Sequence, residues 1–171
     1  MKKPYISGMS VLLCMMLCIM PGLIEAQPVI PDAGELDWLI LGPLAMPDQE
    51  EQWFDMKAFH LDYLKELGGE TNARPLAGEQ TAGTVWQRLE APGMPIDFNR
   101  IFRSREVLNA VAYAYTEFES PVAQQMALKI GSDDGLKVWF NGVLLLTLAI
   151  NRAMTPDQEA LVLPVQAGKN S

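Results

Sequence analysis

The sequence predicts a mainly β fold, an antiparallel β-sandwich of the jelly-roll kind with one amphipathic helix. Three observations carry that expectation. Beyond Trp86, short apolar segments with two-residue alternation follow one another at the spacing of sandwich strands. Turn residues separate them, among them Ser132-Asp-Asp-Gly135 and Asn141-Gly142. One stretch alone, ending at Leu67, has a clear helical period, and the regular exchange of strand and helix that builds a parallel sheet is missing.

The chain opens with Lys2 and Lys3, an apolar run over residues 11–20 and Pro21-Gly-Leu-Ile-Glu-Ala26. This is the charged, apolar and small-residue order of a secretory signal peptide, which predicts cleavage after Ala26 and an exported product, periplasmic or extracellular. Two parts follow: a signal over 1–26 and a β-sandwich accessory domain over 27–171. Cys14 and Cys18 leave with the signal, so the mature part has no thiol for a disulfide or a thiolate metal site.

Trp38-Leu-Ile-Leu-Gly-Pro43 reads as a first buried strand closed by Gly and Pro. Asp48-Gln-Glu-Glu51 is a helix start, and Met56, Phe59, His60, Tyr63, Leu64 and Leu67 recur at helical spacing before Gly68-Gly69 stops them. Residues 69–83 have no period and read as loop. A weak strand is expected over 85–89 and a stronger one over 110–118, rich in aromatic and β-branched residues. Gln124, Met126, Leu128 and Ile130 alternate as the next strand, and Leu136, Val138 and Phe140 as the one after it. Asn141-Gly142 then predicts a tight hairpin into residues 143–150, whose apolar character on both faces predicts deep burial. Thr155-Pro-Asp-Gln158 predicts one helical turn. Leu161, Leu163 and Val165 form a last strand, and Gln166-Ala-Gly-Lys-Asn170 reads as a turn toward a hairpin partner. Because an unpaired strand edge is normally avoided, the expected module lacks its last strand and is the amino-terminal piece of a longer polypeptide.

Charge narrows the partners. With 13 Lys and Arg against 21 Asp and Glu, the net charge is −8. Such a surface repels phosphate backbones and anionic lipid, so neither nucleic acid nor, after signal cleavage, a membrane is an expected partner. His60 is the only histidine, and its place on the helical stripe predicts a packed imidazole rather than a catalytic one. There is no Gly-x-Ser-x-Gly elbow and no Walker loop. A pair of carboxylates able to hydrolyse a glycoside depends on a separation in space that one sequence does not give. The mature part is therefore expected to be non-catalytic, with any catalysis in downstream domains.

Two kinds of site stand out. Asp133 and Asp134 converge on one ion only where the backbone turns, and they do stand at a turn; carbonyls, water and the loop containing Asn151 would complete the oxygen shell of a calcium ion. The same four residues also make a tight turn in which Ser and Asp bond their own backbone, and turn preferences favour that reading. Trp53 and Trp86, beside polar loops, are the candidates for a platform on which a sugar ring stacks, although each is more simply a core residue. Arg152 is the candidate polar partner, able to pair with Asp133, Asp134 or Asp157.

Gly131-Ser-Asp-Asp-Gly-Leu-Lys-Val-Trp-Phe-Asn-Gly142 resembles the signature hairpin of PA14-like and related bacterial β-sandwich domains. Trp38-Leu-Ile-Leu-Gly-Pro43, Gly68-Gly-Glu70, Trp86, Ala112-Tyr-Ala114, Pro156-Asp-Gln158 and Ala167-Gly-Lys-Asn170 also resemble, in their order, a module of secreted multidomain bacterial proteins. The resemblance implies a non-catalytic accessory module that binds carbohydrate or another cell-surface ligand for a larger protein, with calcium held by Asp133 and Asp134. The alternative is a purely structural or protein-interaction domain.

Overall fold

The computed structural model describes residues 30–45, 57–103 and 110–171. The signal segment, the helix start at Asp48 and Trp53 lie outside the described residues.

The fold is mainly β, with antiparallel strands arranged in a sandwich-like manner. Strand β1 (Trp38–Ala45) is central in a three-stranded sheet, between β4 (Gln87–Leu89) and β5 (Ala110–Thr116). Ile40 and Leu41 project to opposite faces, and both are 0% exposed. Burial on two faces explains the unbroken apolar run Trp38-Leu-Ile-Leu41. The ladder with β5 slips between Leu41 and Leu44, where β1 carries one extra residue. Gly42 sits in that bulge at φ 144°, and a Cβ there would lie 3.2 Å from each of Ala112 Cβ, Phe102 Cζ and the Val111 carbonyl.

A two-residue hairpin, β2 (Gln80–Thr81) with β3 (Thr84–Val85), forms inside the region read as loop and its border. Together with residues 61–73 it covers one face of the sheet. The resulting core contains Leu41, Leu44, Leu64, Ala73 and Trp86.

A second core lies among the later strands. Here β7 (Gln124–Ile130) pairs along its whole length with β10 (Glu159–Val165), placing Leu161 opposite Leu128 and Leu163 opposite Met126. These pairs and Val165 pack with Phe140, which ends β8 (Leu136–Phe140), and with Phe118, which opens β6 (Phe118–Ser120). Asn141 and Gly142, at φ 49° and 79°, make the left-handed turn from β8 into β9 (Val143–Leu148). The strand left by alternation without a hairpin partner is β10, and its partner is β7. Residues 168–170 are a short strand, β11 (Gly168–Asn170), paired with β6.

Several local expectations are corrected. Residues 57–67 do not continue as one helix; they form two 3-10 turns, Lys57–His60 and Lys65–Leu67, with Gly68 as the left-handed stop at φ 86°. The Asp62 carboxylate accepts from the backbone N–H groups of Leu64 and Glu70, giving the chain a turn in place of a further helical rung. Among the described residues the one α-helix is instead α1 (Phe98–Phe102), started by the Asp97 carboxylate accepting from Arg100 N. Strand β9 is not deep: Val143 is 58% and Leu144 50% exposed. Pro156 and Asp157 form a turn, with Asp157 at φ 59°, rather than a helical one.

Candidate functional site

The turn 131–135 joins β7 to β8, and the loop 149–158 joins β9 to β10. Because β7 and β10 are neighbours, the two connections meet. Their approach is so close that a Cβ on Gly131 would fall 2.1 Å from the Thr155 carbonyl oxygen, so only glycine fits.

Arg152 reaches into this junction. Its Nε donates to the Ser132 carbonyl at 3.3 Å, Nη2 to Ser132 Oγ at 3.0 Å and Nη1 to Glu159 Oε1 at 2.6 Å. The fork thus serves three acceptors on two segments, a pattern that a point-like ammonium does not reproduce. The Arg152 backbone N–H donates to Asp134 Oδ1 at 2.9 Å, and Ser132 Oγ donates to the Asp134 carbonyl at 2.8 Å. Gln158 adds a further strap, accepting from Ser132 N and donating to the Ala153 carbonyl. The side chains of Arg152 and Glu159 are 16% and 29% exposed, so this ion pair is partly shielded from water.

Of the residues that sequence brought forward, Arg152, Asp134 and Ser132 come together. The carboxylate partner of the Arg152 guanidinium is Glu159, seven positions along, and not Asp133, Asp134 or Asp157; Asp134 takes the Arg152 backbone N–H, and Asp157 faces Lys129 at 3.5 Å. Asp133 is exposed and makes no hydrogen bond or ion pair among the described residues, and Asn151 is exposed next to Arg152 in the loop 149–158. No three His, Cys, Asp or Glu side chains gather as a metal-holding group among the described residues.

Trp86 is 2% exposed and donates its indole N–H to Thr81 Oγ1 at 3.1 Å. It is a core residue, with no ring face offered to a ligand. His60 is exposed and meets Phe59 edge-on, with ring centroids 5.7 Å apart, so it is not the packed imidazole that a helix would make.

The chain matches no family model, no curated protein and no solved structure.

A second polar cluster was not legible in sequence, because its members come from elements far apart in the chain. Glu70 accepts from Lys137 Nζ at 3.2 Å and from the Tyr113 hydroxyl at 2.8 Å. The Lys137 ammonium also lies 5.1 Å from the Phe59 ring centre and 5.6 Å from that of Trp139, within reach of both π faces. Burial, and then the hydrogen bond to the Glu70 carboxylate, push the Tyr113 hydroxyl far above the usual tyrosine range. These contacts fasten the 57–70 segment onto β5 and β8. A small recess of about 240 Å³ lies elsewhere, between Leu89, Pro92, Pro95, Ile96 and Ile101, and none of the site candidates lines it.

Proposed function

We propose that this chain is an exported, non-catalytic β-sandwich module that acts as a structural or protein-interaction domain of a larger protein, with the acid-pair turn serving as a latch. The observation that carries the reading is the guanidinium of Arg152 between Ser132 and Glu159. It occupies the Ser132 oxygens that a calcium shell would draw on, and its fixed positive charge opposes a second cation at the same turn. Asp134 spends one carboxylate oxygen on Arg152 N, as a turn residue does. Burial of Trp86 removes one of the two proposed sugar platforms.

The competing reading, a calcium-dependent carbohydrate-binding module of PA14-like type, draws its support from Asp133, whose carboxylate is exposed and unpartnered among the described residues. Thermal melting with and without millimolar calcium separates the two. The latch reading expects no calcium shift and a lower melting temperature for Arg152→Met. A calcium-dependent rise that vanishes in Asp133→Ala, together with calcium-dependent retention on a glycan array, overturns it in favour of the ligand-binding module.

A further inference from the structure

We propose that Asn141 is a shielded deamidation site, kept intact by the docking of residues 168–171. Asn141 stands before Gly142 in the β8 to β9 turn, and glycine leaves the following backbone nitrogen open to the asparagine side chain. Both ends of that side chain are already taken. Its Nδ2 donates to Asn170 Oδ1 at 2.9 Å, and its Oδ1 accepts from Ser171 N at 2.9 Å. The Asn141 backbone N–H donates to the Ser171 carbonyl at 2.8 Å, so three bonds join the turn to the end of β11.

The anchor of this clasp is itself built in. Asn170 is 1% exposed, and its amide also bonds Gln166 N, the Gln166 carbonyl and the Gly168 carbonyl. The Asn141 amide therefore has to leave two partners before it can turn toward Gly142.

The reaction is balanced by water alone. Once deprotonated, the Gly142 nitrogen attacks Asn141 Cγ; the Cγ–Nδ2 bond breaks and Nδ2 departs with protons as ammonia, closing a succinimide. Water opens that ring at either carbonyl, leaving aspartate or isoaspartate, so one water enters and one ammonia leaves. The product carries oxygen where Nδ2 stood, and an oxygen has no proton for Asn170 Oδ1. Release of the clasp is thereby converted into a lasting change of one negative charge at the hairpin tip.

The test follows the tryptic peptide covering 138–152 by mass spectrometry during incubation at pH 8. That peptide also contains Asn151, an exposed residue that serves as an internal reference. Asn141 is expected to convert at least about tenfold more slowly in the folded protein than in urea, because reaction waits on local opening. Ser171→Pro removes the N–H that Asn141 Oδ1 accepts while leaving buried Asn170 in place. It is expected to speed conversion of Asn141 in the folded protein and to leave Asn151 unchanged. Equal Asn141 rates in folded and urea-unfolded protein overturn the proposal, and so does a folded Ser171→Pro variant with the parental rate.

Discussion

At the residue scale, two side chains separate packing from recognition. Trp86 fills the first core and satisfies its indole N–H on Thr81, which is itself 1% exposed. Trp86→Ala is expected to lose about 3–5 kcal/mol in chemical denaturation, the usual cost of emptying a large aromatic site. Trp86→Phe keeps most of the ring volume but strands the Thr81 hydroxyl, so a smaller loss of about 1–2 kcal/mol is expected. A Trp86→Phe variant as stable as the parent would show that the indole bond contributes nothing. Arg152 acts differently, through charge and geometry. Arg152→Met should lower stability by about 1–3 kcal/mol, since it leaves Glu159 and Ser132 without their donor in a partly shielded place. Arg152→Lys should recover only part of that, because one ammonium does not span three acceptors set for a planar fork. Full recovery by lysine in the same denaturation series would count against the latch.

At the element scale, β1 and β9 show what patterning conveys and what it omits. The first reads as a buried strand and the second as apolar on both faces, so deep burial is expected of each. In β1 that reading holds, because strands pair along both of its edges and Ile40 and Leu41 are wholly buried. In β9 it does not. The ladder with β8 slips between Val138 and Trp139, where β9 carries the extra residue Leu145, and this bulge turns Leu145 into the second core while Val143 and Leu144 stay exposed. A bulge depends on the partner strand and leaves no mark in local alternation. The strands β7, β8 and β10 were legible to within a residue or two: β7 and β10 alternate between exposed and more enclosed residues, and β8, which has no exposed residue, has an explicit turn on either side. The 57–67 helix was not, since Asp62 offers the backbone a competing turn that hydrophobic period alone does not register. For the site, the meeting of Ser132, Asp134 and Arg152 was legible as a possibility of charge and turn chemistry, whereas Glu159 as the acceptor and Glu70 with Lys137 depend on tertiary contact. These placements give two expected outcomes. Leu144→Lys should change stability by no more than about 0.5 kcal/mol, as an exposed substitution does. Gly42→Ala should cost about 1–3 kcal/mol, because its Cβ presses on three neighbours at a positive φ. Thermal melts of the two variants check both, and the reverse order of damage would contradict the strand assignments.

At the scale of the whole molecule, stability is tied to pH through three tyrosines packed against the first core and through the Glu117 carboxylate. On the acid side stands Glu117. Burial raises its pKa, but the Lys169 ion pair at 2.6 Å and the Tyr115 hydroxyl outweigh that and hold it below the usual carboxylate range. Its contribution is present above the ordinary glutamate pKa and is lost as pH falls through the lower folded value. The alkaline side is stronger. Tyr63, Tyr113 and Tyr115 are all raised, first by burial, and for Tyr113 and Tyr115 next by hydrogen bonds to Glu70 and Glu117. Above about pH 10, where an unfolded tyrosine ionises, the unfolded chain releases protons that the folded chain still holds. Folding is then penalised as pH rises, and a tyrosine that stays protonated in the fold steepens the loss by at most about 1.4 kcal/mol per pH unit, so Tyr113 and Tyr115 dominate and Tyr63 adds little. Tyr113→Phe removes one of these groups together with its bond to Glu70. The variant should therefore be less stable than the parent at pH 7, yet lose stability less steeply between pH 10 and pH 12. Urea denaturation across that range measures both slopes. Parallel curves would mean that Tyr113 ionises as easily folded as unfolded, and that its hydroxyl is open to water rather than enclosed against Glu70.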